Sequence, residues 1–202
     1  MISESDLIDA EDCFVLRITL KNTKPTVSRE VIVTGDTPLA ILHIVIQVCM
    51  GWGNAHHHEF RKGSLKYGIP NEDFPELGVS DYTNVCVFDV LPSEGEEITY
   101  DYDFGDGWEH SVQLITIIPE DDGAIVPVCV AGSMACPPED VGGPPGFEEF
   151  KLAVADPEHH RHDELMDWVG WGWDADHFNI HETNVILGRL FPGVEFESET
   201  MH

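Results

Sequence analysis

The sequence predicts an α+β fold: a mixed or antiparallel β-sheet, a buried helix after the second strand, and a helical C-terminal third. Strand-like segments dominate up to a Gly- and Pro-rich stretch at 121–146, helical segments dominate after it, and the two kinds do not alternate. The 202 residues, 42% of them hydrophobic, are enough to bury a core without disulfides. We therefore expect a single domain over residues 13–192, with a flexible N-terminus at 1–12 and a flexible C-terminal tail at 193–202.

Two strands and a helix are expected first. Residues 13–20, "CFVLRITL", alternate in the manner of a strand, and residues 28–35, "SREVIVTG", predict a second strand after a turn. Pro38 lies in the first turn of a helix that continues to Met50, where Gly51 can end it. Apolar residues cover almost the whole circumference of this helix, so it should be buried on more than one side.

The middle of the chain is expected to add strands and a hairpin. "HHHEFRKG" at 56–63 and "SLKYG" at 64–68 are typical of short strands joined at a glycine turn. "VCVFDVL" at 85–91 is consistent with another strand or with the start of a loop. The segments 98–104 and 108–117 then predict a hairpin, because apolar and polar residues alternate on both sides of a Gly-Asp-Gly.

The apolar residues of this hairpin suggest its register. A three-residue loop, Gly105 to Gly107, would place every apolar side chain on one face, with Gly107 in a left-handed conformation. The predicted pairs are Phe104 with Trp108, Tyr102 with His110, Tyr100 with Val112 and Ile98 with Leu114.

The outer face of the hairpin is acidic. Its carboxylates belong to Asp101, Asp103, Asp106 and Glu109. In the expected register Asp103 faces Glu109. Like charges that face each other are destabilising unless a cation or a basic side chain, such as Arg61 or Lys62, lies between them. We interpret the stretch first as a core hairpin and second as an acidic contact face.

A loop and three helices are expected in the remainder of the chain. Residues 121–146 are rich in Gly and Pro and predict mostly loop. Helical patterns follow at 147–155, at 156–170 and at 181–190.

Charge is distributed unevenly along the chain. The formal net charge is -28, and residues 67–150 contain 19 Asp or Glu but no Lys or Arg. Such a surface repels phosphate, so we expect no direct nucleic-acid binding. The commonest meaning of this composition is a solvated face; the functional alternatives are a basic protein partner, bound cations, or imitation of a nucleic acid.

Cysteine usage and hydropathy point to the cytoplasm. The five cysteines are irregularly spaced, which is typical of reduced thiols, and Cys129 and Cys136 lack the paired spacing of a zinc site. The first residues lack the basic and apolar regions of a secretory signal, and the longest apolar run, at 39–50, is too short to cross a bilayer. We expect a cytoplasmic protein without membrane contact.

Three histidines are the metal-ligand candidates. Strand alternation places His56 and His58 on an inward face, and the hairpin register turns His110 inward on another strand. Three imidazoles can bind zinc or a similar divalent ion, with Asp103 or Glu109 as a general base. The alternative is that these histidines are hydrogen-bonded neighbours of an aromatic core.

The segment "WVGWGWD" supplies the candidates for partner binding. Trp168, Trp171 and Trp173 lie close together in it, and tryptophan is enriched at interface hot spots. Packing of the terminal helices against the sheet is the alternative use of these side chains.

Five stretches in one order carry a resemblance to a known family. They are "ITLKNTKPTVSREVIV", "LHIVIQVCMGWGNAHHHEF", "YDYDFGDGWEHSVQL", "CVAGSMACPPEDVGGPPGFEEF" and "FNIHETNVILGRL". Together they closely resemble the Ri-plasmid open-reading-frame-three-like family, some of whose insertion-sequence members carry a resolvase label. The similarity covers residues 13–190 and implies an α+β fold and an association with plasmids and mobile elements.

The chain departs from the family pattern at three places. Ser28 and Arg29 stand where the family usually has Trp-Arg, and His57 occupies a commonly apolar position. Val141 stands where the family usually has a third cysteine, which argues against a three-cysteine metal site.

These observations favour an uncharacterised accessory protein of plasmid or mobile-element type: a non-enzymatic, acidic module that binds a protein partner, with basic proteins as the candidates. The first alternative is a metal-dependent hydrolase that uses His56, His58 and His110, and the second is a nucleic-acid mimic. A serine recombinase would need arginines clustered around its nucleophile, and the chain has only 10 Lys and Arg in all. The sequence leaves the partner and the oligomeric state open.

Overall fold

The structure, a computed structural model, describes residues 11–70, 73–119 and 126–192. Within these residues the chain forms one β-sheet and five α-helices. The flexible ends predicted at 1–12 and 193–202 lie outside the described residues, apart from positions 11 and 12.

Strands dominate the chain up to residue 133, and three of the five α-helices follow the last strand. The strands are β1 (Cys13–Leu20), β2 (Ser28–Thr34), β3 (His58–Lys62), β4 (Leu65–Gly68), β5 (Val79–Asp81), β6 (Glu97–Tyr102), β7 (Trp108–Ile118) and β8 (Val128–Ser133). The helices are α1 (Leu39–Met50), α2 (Val87–Val90), α3 (Gly143–Ala155), α4 (His162–Val169) and α5 (Ile180–Leu190). This order confirms the predicted α+β fold. No helix in the described part of the chain has the length and apolar character needed to cross a membrane.

The eight strands form one mixed sheet in the order β5-β4-β3-β6-β7-β1-β2-β8. Neighbouring strands are antiparallel except β4 and β5, which are parallel. Strand β7 pairs with β6 on one side and β1 on the other. The acidic hairpin is therefore the centre of the sheet, where its inward side chains join the core.

Helix α1 lies against this central hairpin. It begins after Pro38 and ends at Gly51, whose φ of 77° is left-handed and suits glycine. His43 and Gln47 on the helix reach the hydroxyl of Tyr100 on β6 at 2.8 and 3.0 Å. Helix α1 therefore packs against the hairpin strands through these polar contacts as well as through its apolar face.

Two short elements differ from the prediction. The segment 85–91, predicted as a strand or the start of a loop, contains the helix α2, and the carboxylate of Asp89 accepts a hydrogen bond from the N–H of Cys86 at its first turn. Strand β5 was not predicted at all. It has three residues, which is too short for a periodic pattern.

The segment 121–146, predicted as mostly loop, contains the strand β8. Tertiary pairing rather than local propensity creates this strand, because β2 hydrogen-bonds it along one edge. On the other edge Asn184 of α5 accepts from the N–H of Cys129 and donates to its carbonyl oxygen, both at 2.8 Å. A single side-chain amide therefore closes part of the open edge of the sheet.

Arg29 is a buried cation that joins β2, β8 and α1. It is 2% exposed, and its guanidinium donates to the carbonyl oxygens of Ser28, Cys49 and Ser133 at 2.7, 2.8 and 2.8 Å. The ring of Phe178 lies 3.7 Å from the guanidinium carbon. Carbonyl oxygens and an aromatic face thus satisfy a charge that would otherwise be costly to bury.

Candidate functional site

The candidate site is built around the loop between β6 and β7. The observed pairs are Tyr102 with Trp108, Tyr100 with His110 and Ile98 with Val112. The predicted three-residue loop is therefore wrong: each residue of β6 pairs two positions earlier on β7, and the loop runs from Asp103 to Gly107.

Asp103 organises this longer loop. Its φ is 54°, and its Oδ1 accepts hydrogen bonds from the N–H groups of Gly105 and Asp106 at 2.9 and 3.2 Å. Gly107 has the expected left-handed conformation, with a φ of 71°. Phe104, expected to face inward, is 60% exposed. Side chains alternate between the two faces of a strand, so a shift of two residues leaves all the paired residues of β6 and β7 on the faces predicted for them. The apolar alternation therefore could not distinguish the two registers.

Basic side chains neutralise part of the acidic hairpin face. Asp101, rather than Asp103, is the residue opposite Glu109. Arg61 lies between them and donates to Asp101 at 2.5 and 3.0 Å and to Glu109 at 3.2 Å. Lys21 lies 3.1 Å from Glu109, and its hydrogen bond, together with the charge of Arg61, lowers the pKa of that carboxyl. Two of the four carboxylates predicted for contact are thus paired within the protein.

The hairpin loop interlocks with the turn that precedes α3. Oδ2 of Asp106 accepts a hydrogen bond from the N–H of Gly142 at 3.1 Å. Gly142 and Gly143 both have positive φ, at 95° and 69°. A β-carbon on Gly143 would lie 2.3 Å from the carbonyl oxygen of Asp106. Only glycine allows the two loops to approach this closely.

Glu139 anchors the same turn to the segment 53–58, which carries three consecutive histidines and which we call the histidine segment. Its Oε1 accepts from the hydroxyl of Tyr102 at 2.5 Å, and its Oε2 accepts from the N–H of Gly53 at 2.9 Å. Trp52 donates from Nε1 to the carbonyl oxygen of Pro137 at 2.9 Å. Burial raises the pKa of Tyr102, and the hydrogen bond to Glu139 raises it further, so the hydroxyl stays protonated and remains a donor.

Three ligand-type side chains meet where these segments join. Nε2 of His56 lies 3.2 Å from Oδ1 of Asp140 and 3.6 Å from Oδ2 of Asp103. One ligand atom of each residue lies within 4.8 Å of the other two. Among the residues that the structure describes, this is the only such group of three His, Cys, Asp or Glu. We call it the His-Asp-Asp cluster, and its donor atoms are of the kind that can hold a cation.

The three histidines predicted as ligands do not converge on one site. The ring of His58 stacks on that of His43, with 3.5 Å between the centroids. His110 is fully buried, and its Nδ1 lies 3.1 Å from the carbonyl oxygen of Tyr100. Only His56 belongs to the His-Asp-Asp cluster.

Burial keeps the core histidines neutral. It lowers the pKa of His110 to about 4. Burial also lowers the pKa of His58 to about 4, with a further contribution from the neighbouring His43. These side chains therefore act near neutral pH as uncharged hydrogen-bonding groups within an aromatic core, which was the alternative prediction for them.

A chain of buried hydrogen bonds links α1 to the histidine segment. Gln47 donates from Nε2 to the hydroxyl of Tyr100 at 3.0 Å, and this hydroxyl lies 2.8 Å from Nδ1 of His43. Nε2 of His43 lies 2.8 Å from Oδ1 of Asn54, which can only accept. His43 therefore carries its proton on Nε2 and accepts from Tyr100, so the direction of every bond in the chain is determined.

A groove of about 820 Å³ opens beside the His-Asp-Asp cluster. Residues of α1, β3, β4 and β5 line it, together with His56 and Phe104. Ile69, Leu77 and Phe104 expose 70, 53 and 60% of their surface on its walls. Exposed apolar side chains around a concave surface are typical of binding grooves in general.

The predicted tryptophans separate into exposed and packed side chains. Trp168 and Trp171 are 49 and 62% exposed, and Trp168 lines a second cavity of about 320 Å³. Trp173 is half-buried, with its ring centroid 4.8 Å from that of Phe150. Two of the three are therefore available at the surface.

Sequence reasoning missed the groove and did not count Asp140 among the metal-ligand candidates. The exposed apolar residues of the groove are isolated in irregular segments, so no periodicity marks them. Asp140 has a φ of 60° and precedes two glycines of positive φ. The Gly142-Gly143 pair is the signal that could have indicated a close approach of backbone at this point.

The comparisons with known proteins cover nearly the whole chain. The sequence model of the plasmid pRiA4b ORF-3-like proteins matches residues 12–182. The uncharacterized protein y4hQ of Sinorhizobium fredii is 41% identical over 177 residues, which are 87% of this chain and 90% of that protein. The crystal structure of a protein of unknown function, MM3350 from Methanosarcina mazei Go1, is similar with a TM-score of 0.75 and 30% identity, over 85% of this chain and 97% of that one. The chain therefore belongs to the family of plasmid pRiA4b ORF-3-like proteins.

Proposed function

We propose that the protein is a non-enzymatic interaction module that binds an apolar and basic segment of a protein partner in the groove. The observation that carries the proposal is the groove of about 820 Å³, whose walls expose Ile69, Leu77 and Phe104. Grooves of this size with apolar walls accept short segments by burying a few anchor side chains.

Charge supports the choice of a basic segment. The chain has a formal net charge of -28, and residues 67–150 contain no Lys or Arg. That stretch supplies the three exposed apolar side chains of the groove, and the lysine that lines it, Lys66, lies 3.4 Å from the carboxylate of Glu59. A segment seated against them would lie in a field that attracts Lys and Arg and repels acidic or phosphorylated chains.

The other two hypotheses have less support. The hydrolase hypothesis depends on a shared site of His56, His58 and His110, and these residues lie in separate environments. The nucleic-acid mimic needs free, ordered carboxylates, whereas Arg61 and Lys21 pair two of those on the hairpin face. No observation on the described residues favours either hypothesis, and both stay predictions.

Peptide binding measured by fluorescence anisotropy tests the proposal. Three labelled peptides of equal length are compared: one of alternating Lys and Leu, one of Lys and Ser, and one of Glu and Leu. We expect the Lys-Leu peptide to bind best, since it alone offers both the charge and the apolar anchors. Equal binding of the Lys-Leu and Lys-Ser peptides would show a purely electrostatic attraction and would contradict the proposal.

Variants locate the binding. Leu77→Ser and Phe104→Ser each remove on the order of 1–2 kcal/mol of apolar contact, so we expect the Kd to rise about tenfold. Leu152→Ser is the matched control, because Leu152 is 71% exposed and does not line the groove. If Trp168→Ser weakens binding and the groove variants do not, the partner surface lies at the tryptophans and the groove proposal is wrong.

A further inference from the structure

The spacing of the His-Asp-Asp cluster matches the coordination shell of a metal ion. The distances from Nε2 of His56 are 3.2 Å to Asp140 and 3.6 Å to Asp103. Ligand atoms about 2.1 Å from a tetrahedral zinc ion lie about 3.4 Å from one another. The two distances lie on either side of this value, and the ligand atoms of Asp103 and Asp140 lie within 4.8 Å of each other, so small side-chain adjustments would let one ion contact all three.

The structure holds the carboxylate of Asp103 and the backbone next to Asp140 in place independently of any ion. Oδ1 of Asp103 is occupied by the N–H groups of Gly105 and Asp106, which leaves Oδ2 directed at His56. Asp140 follows Glu139, which is fixed by its two hydrogen bonds to Tyr102 and Gly53. The ligands thus come from three separate segments that are already tied together, which reduces the entropy lost on binding.

The surroundings of the His56 ring favour a cation in the cluster. Its Nε2 is buried and makes no hydrogen bond to any described residue. The nitrogen nevertheless faces two carboxylate oxygens, which a neutral imidazole nitrogen with a lone pair would repel. A cation placed between these atoms would remove both problems at once.

We propose that His56, Asp103 and Asp140 bind a divalent first-row transition metal ion of the zinc type. One nitrogen and two oxygens form a mixed donor set that suits zinc or manganese better than the all-oxygen preference of Mg²⁺ and Ca²⁺. The two carboxylates balance the charge of the ion. The ion ties the histidine segment to the hairpin loop and to the turn before α3, beside the groove that His56 and Phe104 line.

Isothermal titration calorimetry of the untagged full-length chain with Zn²⁺ tests the site. We expect one tight equivalent of Zn²⁺ per chain and much weaker binding of Mg²⁺ and Ca²⁺. The variants His56→Ala and Asp140→Asn should each weaken the tight Zn²⁺ equivalent at least tenfold. The side chain of Asp140 is 74% exposed, so Asp140→Asn should fold normally, which far-ultraviolet circular dichroism checks.

Matched controls separate this site from adventitious binding to surface carboxylates. His57→Ala removes the exposed neighbouring imidazole, and Asp176→Asn removes an exposed carboxylate far along the chain. Both should bind Zn²⁺ like the parent. No tight equivalent in the parent would overturn the proposal. Equal Zn²⁺ affinity in the parent and in Asp140→Asn would likewise overturn the proposal.

Discussion

Replacing Gly143 by alanine tests the interlock between the hairpin loop and the turn before α3. Gly143 has a φ of 69°, and a β-carbon there would lie 2.3 Å from the carbonyl oxygen of Asp106. The atom it meets belongs to the backbone, so the conflict cannot be relieved by turning a side chain. One of the two loops has to move, and with it Asp103 or Asp140.

The expected loss of stability has two parts. A left-handed conformation costs alanine about 1–2 kcal/mol relative to glycine. Forcing an additional carbon into a packed contact adds about 1–3 kcal/mol. We therefore expect Gly143→Ala to lower the free energy of unfolding by about 2–5 kcal/mol in total.

Alanine substitutions at two other glycines separate the backbone part of this loss of stability from the packing part. Gly142 has a φ of 95°, but its β-carbon would lie in ordinary contact, 3.6 Å from Gly146. Gly142→Ala should therefore cost only the backbone part, about 1–2 kcal/mol. Gly172 has no atom within 4 Å and no left-handed φ, so Gly172→Ala should change the free energy by less than about 0.5 kcal/mol.

Urea unfolding followed by tryptophan fluorescence measures all three variants on one scale. The order of destabilisation should be Gly143→Ala, then Gly142→Ala, then Gly172→Ala. A Gly143→Ala protein that is as stable as Gly142→Ala would show that the two loops do not interlock as described.

Three further predictions concern the hydrogen bonds and charges near the site. Tyr100→Phe should lower the free energy of unfolding by about 1–3 kcal/mol, because it leaves buried polar groups of α1 without their partner; a change below about 0.5 kcal/mol in urea unfolding would contradict this. His110 has a folded pKa of about 4, below its ordinary value of 6.5, so its stabilising contribution is present above pH 6.5 and is lost as the pH falls toward 4. Protonation of His110 alone should lower the free energy of unfolding by about 1 kcal/mol between pH 7 and pH 5.5. Urea unfolding that showed no fall in stability over this range would refute the prediction. Arg61→Met should lower the free energy of unfolding by about 1 kcal/mol at low salt and by less at high salt, because Asp101 and Glu109 then face each other without a counter-charge. A loss of stability that does not depend on salt would contradict this electrostatic explanation.

Local patterns predicted the first part of the fold well. Strand β1 has the predicted bounds, and α1 ends at Gly51 as expected, because alternation, apolar periodicity and a left-handed glycine are properties of a few neighbouring residues. Strand β8 could not be predicted in this way. It depends on its pairing with β2 and on the amide of Asn184, which lies 55 residues from Cys129 in the sequence.

The candidate site depends on contacts of the same non-local kind. The hairpin register was missed by two residues because the hydrogen bonds of Asp103 extend the loop without changing which face is apolar. The cluster combines His56, predicted as a metal ligand, and Asp103, predicted as part of an acidic face, with Asp140, which was not predicted as a ligand. The histidines His58 and His110 share the inward orientation but have other partners, since inward orientation does not determine distance.

The most direct test of the groove as the partner-binding site is a backbone amide nuclear magnetic resonance titration with the Lys-Leu peptide. We expect the largest shift changes at Ile69, Leu77 and Phe104, with Leu152 on α3 unaffected. Shift changes that cluster at Trp168 and Trp171, or that spread evenly over all acidic surfaces, would contradict it.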